Sequence, residues 1–99
     1  MIDGYLLNMR VFNKVNDDKH QALKPLEEAA EVFGAWQKCD DMRYATATIR
    51  EAFRRDLIDE CMDTVQAITN LLAAVGATQG EVDAAIKRMD ERNENRGRL

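Results

Sequence analysis

Ninety-nine residues allow one domain and a modest core, which makes self-association a natural route to further burial. The net charge of −4 and an isoelectric point near 4.9 argue against a nucleic-acid footprint, which is normally basic. One histidine and two distant cysteines, Cys39 and Cys61, exclude a Cys/His zinc site, and the thiols read as reduced in a cytoplasmic chain.

The chain opens on MIDGYLLNMR, which lacks a basic start and a long apolar run, so no signal peptide is expected. No stretch has the length of a membrane span. Helical periodicity dominates, β-branched alternation is scarce, and the expectation is an all-α bundle of about four helices in a single domain spanning 1–99. The N-terminal segment 1–16 carries a short helix from about Tyr5 to Lys14, with Leu6, Met9 and Phe12 or Asn13 at helical spacing. Asn16, Asp17 and Asp18 offer turn and N-cap chemistry.

A second helix ends near Lys38. Pro25 either occupies its first turn or kinks a helix that began near Asp18. Leu23, Leu26, Ala30 and Phe33 form its main apolar stripe, with Val32, Ala35 and Trp36 on the far side. Residues 39–47 read as a connection in which Asp40 and Asp41 cap the next helix. That third helix runs to about Val75. From Thr64 to Val75 it carries no charge, which predicts a buried segment. Gly76 suits its C-terminus, and Thr78-Gln-Gly-Glu81 matches a capping box. A fourth helix follows through Val82, Ala85, Ile86 and Met89. The polar tail 91–99 frays or docks.

Two acidic motifs stand out: Glu27-Glu28-Ala-Ala-Glu31 and Glu60-Cys-Met-Asp63. Glu28 and Glu31 are three apart, as are Glu60 and Asp63, and residues three apart share a helix face. Each helix thus presents two carboxylates on one side, and like charges that close raise each other's pKa unless a cation neutralises them. A hard divalent ion with oxygen ligands, such as Mg²⁺, meets that need. Glu60 and Asp63 stand at the entrance to the uncharged segment, where ions require a partner. The competing reading is a solvated acidic face on ordinary helices.

The order and spacing of E-E-x-x-E and E-x-x-D resemble those of the MazG-like, all-α nucleoside triphosphate pyrophosphohydrolases. The stretch Val65-Gln-Ala-Ile-Thr-Asn70-Leu-Leu and the terminal Arg92-Asn93-Glu-Asn-Arg96-Gly-Arg98 are similar to short members from phages and prophages. The resemblance covers about residues 23–98. It implies conversion of an NTP or dNTP to the monophosphate and pyrophosphate with Mg²⁺ or Mn²⁺, while the small size and the expected burial of the third helix point to a homodimer or homotetramer. It also implies metal ligation by Glu28, Glu31, Glu60 and Asp63, with Glu27 binding an additional metal or orienting the attacking water. Such hydrolysis needs charge neutralisation and a positioned water, not a side-chain nucleophile. The chain contains no serine, which removes a Ser-His-Asp triad outright.

Four further positions are candidates for substrate contact, together with one aromatic. Asn70 lies two helical turns beyond Asp63 on the same face; it either touches a nucleotide sugar or base or satisfies a buried group. Arg92, Asn93 and Arg96 either reach phosphates, which arginine forks suit, or form a solubilising tail. Trp36 either stacks on a base or packs in a core or interface. His20 reads as a surface residue. Cys61 points about 100° away from Glu60 and reads as a small core residue. The alternative to an enzyme is a helical interaction protein whose acids bind a cation, or nothing; within enzymology, phosphoribosyl-ATP hydrolysis ranks lower.

Overall fold

The computed structural model describes residues 2–99 and is all-helical, with three helices and no strand among them. Helix α1 spans Lys19–Asp41, α2 spans Ala47–Ala74 and α3 spans Gln79–Asn95. None of them is long and apolar enough to cross a membrane.

Each helix starts on a side-chain cap. Asp18 accepts the Gln21 amide at 2.9 Å, which resolves the ambiguity at Pro25: α1 begins before the proline and runs through it. Thr46 accepts from the Ile49 amide at 3.4 Å to begin α2, so the expected cap at Asp40 and Asp41 is displaced. Those two acids instead end α1, and Asp40 pairs with Arg43 at 2.6 Å. The reciprocal box at Thr78 forms as expected, with Thr78 N–H donating to Glu81 at 3.0 Å and Glu81 N–H to Thr78 at 3.1 Å. Gly76 and Gly97 take φ of 76° and 71°, and the amide after each reaches back to the helix, Ala77 to Leu72 and Arg98 to Asn93. These are Schellman closures, which only a residue without a Cβ enters freely. The tail is thus helical to Asn95 and closed at Gly97, not frayed.

The expected helix at Tyr5–Lys14 does not form; the segment before α1 has no regular structure. Gly4, three asparagines and two valines within residues 4–16 have low helix propensity. The extended backbone gains other partners instead. Phe12 N–H donates to Asn70 Oδ1 at 3.1 Å, and Gln66 Nε2 donates to the Arg10 carbonyl at 2.6 Å. The segment is a strap laid along α2.

Helix-to-helix packing is confined to α1 against α2. On α1 the shielded positions are Gln21, Lys24, Pro25, Glu28, Val32, Ala35 and Cys39, a helical stripe with Glu28 at its middle. On α2 they include Phe53, Leu57, Glu60, Cys61, Thr64, Ala67 and Asn70. Cys39 Sγ donates to the Phe53 carbonyl at 3.3 Å across this seam. The stripe expected to be the main one faces out: Leu26 is 69% exposed and Phe33 59%. The uncharged part of α2 is covered on one face only: Ala67 and Asn70 are the buried residues among those described, whereas Ile68 is 45% exposed and Leu72 39%. A four-helix bundle is not made by a single copy, because only two of its three helices pack together.

The shape records the same shortage of core. The accessible surface is 8287 Å², against about 5,700 Å² for a compact chain of 11.3 kDa. The radius of gyration is 16.3 Å, against about 13 Å for a compact chain of this length.

The capping box makes α3 the helix most dependent on a single side chain, because it has no helix partner in the chain. Thr78→Ala should cost about 1 kcal/mol of local helix stability. Amide exchange at Glu81 and Val82 checks this: it should accelerate several-fold while α1 and α2 amides keep their protection.

Candidate metal centre

Glu28 from α1 and Glu60 and Asp63 from α2 meet where the two helices are packed. One carboxylate oxygen from each lies within 4.8 Å of the others. Glu28 and Glu60 are half-buried, and Asp63 is exposed at the rim. The oxygen Glu60 Oε2 is closed to solvent and has no hydrogen-bond partner. A shielded acceptor without a donor is destabilising, more so when it carries charge. Both acidic motifs therefore contribute to one locus, and the helical stripe that packs α1 onto α2 carries the acids with it.

Electrostatics follow from that crowding. The Glu60 carboxyl is held above its ordinary range, first by loss of water and then by Glu31, Asp63 and Glu28. Glu28 is pushed the same way by burial, by the charge and hydrogen bonding of Glu31 and by Asp63, with Lys24 opposing. Glu31 is exposed and outside the convergent trio, yet its charge acts on both half-buried acids. Glu27 does not join them. It pairs with Lys24 at 3.2 Å on the exposed side of α1.

The locus lies between two cavities. One, of about 380 Å³, is lined by Glu31, Lys38, Asp56, Asp59 and Glu60, with Gly34, Ala35 and Phe53 as its small and apolar walls. Four carboxylates and a single ammonium line it, so a bare polyphosphate is repelled there unless a divalent ion intervenes. The other, of about 120 Å³, holds Glu28 and Asp63 beside Lys24, Phe12, Gln66, Ala67 and Asn70. Asp56, Asp59, Lys38, Lys24 and Phe12 were not legible as site residues. Asp56 and Asp59 sit one turn before Glu60 and Asp63, so the i, i+4 spacing was the available signal.

The remaining candidates divide. Asn70 is 3% exposed and lines the smaller cavity, while its carbonyl oxygen accepts from Phe12 N–H and from Gln66 Nε2 at 3.0 Å. Trp36 lines neither cavity; it stacks on Phe33 with ring centroids 6.2 Å apart, on a face 48% exposed. Arg92, Asn93 and Arg96 belong to the end of α3 or its cap and line neither cavity, and Asn93 accepts from Arg98 at 3.3 Å.

The raised carboxyls make a stability prediction with a definite sign. A group whose pKa is higher folded than unfolded contributes stability below its unfolded value, near 4.5 here, that is lost as pH rises through the folded value. In chelator, Glu60→Gln should therefore melt above the wild type at neutral pH, and the gap should close on acidification through the carboxylate range. Mg²⁺ should raise the wild-type Tm at neutral pH and leave that of Glu60→Gln nearly unchanged. Parallel melting curves for the two proteins across this range would contradict the assignment.

Comparison with protein-family models, with curated proteins and with solved structures gives no significant match.

Proposed function

We propose that the chain is a Mg²⁺-dependent nucleoside triphosphate pyrophosphohydrolase, acting on an NTP or dNTP in nucleotide-pool clearing, with a MazG-like fold completed by self-association. The observation that carries the reading is the convergence of Glu28, Glu60 and Asp63 within 4.8 Å, with one shielded oxygen lacking any donor. Three oxygen donors of that kind fit a hard divalent cation, and Mn²⁺ is acceptable by the same chemistry. Glu28, Glu60 and Asp63 would hold the ion, with Glu31 outside the trio. A divalent ion held by these residues would supply charge neutralisation for the phosphates and a more acidic water.

The chain's own groups do the rest. Glu31, Asp56 and Asp59 extend the acidic wall along the larger cavity, and Lys38 is the cation there that suits a phosphate oxygen. Attack by water between the α- and β-phosphates breaks that anhydride and leaves a monophosphate and pyrophosphate. Glu31, next to the locus, is better sited than Glu27 to take the water's proton, since Glu27 is engaged by Lys24.

Self-association rests on the surface. The accessible area above that of a compact chain is on the order of 2,500 Å², the size of one partner's share in an obligate assembly. Leu26, Phe33 and Trp36 on α1, with Ile58, Met62 and Ile68 on α2, supply the exposed apolar area. Trp36 belongs to that face in this reading.

Two outcomes are expected. Incubation with a panel of NTPs and dNTPs should release pyrophosphate only with Mg²⁺ or Mn²⁺, and Glu60→Gln should lose at least about a hundredfold of that turnover while remaining helical. Light scattering at micromolar concentration should return two or four times the 11.3 kDa chain mass, and a single-chain mass would contradict self-association. A folded protein that is silent across the panel would favour the interaction-protein reading instead.

A further inference from the structure

Asn70 is buried, polar and uncharged in a chain with little core, and its hydrogen bonds reach far along the sequence. Its Oδ1 accepts from Phe12 N–H at 3.1 Å across 58 residues and from Gln66 Nε2 at 3.0 Å. Gln66 Nε2 also donates to the Arg10 carbonyl at 2.6 Å, across 56 residues. These two amides hold the strap at Arg10 and Phe12, where it has no secondary structure of its own. The strap is not anchored there by its large side chain. Phe12 is 61% exposed, although it lines the cavity that contains Glu28 and Asp63.

Phe12 thus puts an uncovered phenyl ring on the wall of the cavity that contains Glu28 and Asp63. The cavity of about 120 Å³ has the volume of roughly four waters, and its walls are a ring, a methyl group, two amides, an ammonium and the carboxylates of Glu28 and Asp63. Rings of that kind accept flat heterocycles by stacking, with little regard to which base is present. The larger cavity, lined by Lys38, reaches the same carboxylate group through Glu60. A nucleotide whose phosphates lie toward Lys38 would bring its sugar and base toward Phe12.

We propose that Gln66 and Asn70 are positioning residues: they clamp the N-terminal strap on α2 so that Phe12 becomes the wall against which the base of a bound nucleotide stacks. The inference rests on the nucleotide reading of the site. It gives Asn70 a role through the strap instead of direct contact with substrate.

The test measures binding of non-hydrolysable α,β-imido nucleoside triphosphates with Mg²⁺, by calorimetry, to wild type, Phe12→Ala, Asn70→Ala and the double variant. Phe12→Ala removes a mostly exposed ring, so its fold is secure. Each single variant should weaken nucleotide binding at least about tenfold, as loss of a stacked ring does. The double variant should be no weaker than Asn70→Ala alone, because both act through one contact. Affinity for Mn²⁺ without nucleotide should be unchanged in Phe12→Ala. Hydrogen exchange at the Phe12 amide should be fast in Asn70→Ala and slow in wild type. Wild-type nucleotide affinity in Phe12→Ala would overturn the stacking wall, and multiplicative losses in the double variant would overturn the positioning role. A slow Phe12 amide in Asn70→Ala would overturn the clamp. Wild type that binds Mn²⁺ but no nucleotide would overturn the proposed function and this pocket together, whereas nucleotide binding that survives Phe12→Ala removes the pocket alone.

Discussion

Carboxylates on two helices are brought together at the one place where the chain makes a helix pair. Glu28 is in the middle of the α1 stripe that packs on α2, and Glu60 occupies the matching stripe of α2. Packing α1 on α2 therefore forces like charges within 4.8 Å and shuts one oxygen away from water. An ordinary helical hairpin would place alanine or leucine at these positions and gain burial. This chain gives up that gain at the centre of its seam. The proton affinity of Glu28 and Glu60 rises in response, the expected signature of charge kept where solvent is scarce. A divalent cation is the simplest counter-charge that also supplies hydrolytic chemistry.

The rest of the architecture follows from how little core the hairpin has. Side chains such as Leu26, Phe33, Ile68 and Val75 remain exposed because no third helix covers them within the chain. The ends of the helices are in contrast well determined. Asp18, Thr46 and Thr78 cap their starts, and glycines at positive φ close α2 and α3. Local chemistry sets where each helix begins and stops, while the apolar faces are left for partners outside the chain. The strap is the exception: it is placed by two long-range amide contacts to α2.

Much of this was legible in residue order. The all-helical class, the capping box at Thr78 and the stop at Gly76 follow from local rules that tertiary context did not override. Of the four expected ligands, spacing placed Glu28, Glu60 and Asp63 on faces that meet, whereas Glu31, the i, i+3 partner of Glu28, stays outside the group. The N-terminal helix was misread. Leu6, Met9 and Phe12 have helical spacing, but spacing cannot register that an extended backbone finds partners in Gln66 and Asn70 more than 50 residues away. The burial of Thr64–Val75 was legible for one face, where Ala67 and Asn70 are covered, and not for the face of Ile68 and Leu72. An uncharged helix announces that it will be covered, not by which chain. Glu27 illustrates a third limit, since its neighbour Lys24 captures it at 3.2 Å and periodicity alone does not choose between a cation and a site.

The central claim is that the seam between α1 and α2 holds a divalent cation. Direct titration of the metal-free protein with Mn²⁺, followed by the loss of its free-ion paramagnetic resonance signal, tests it without assuming any substrate. The account predicts saturable binding at neutral pH, competed by Mg²⁺, weakened as pH falls into the carboxylate range, and abolished in Glu60→Gln. A folded wild-type protein that leaves the Mn²⁺ signal undiminished would contradict it.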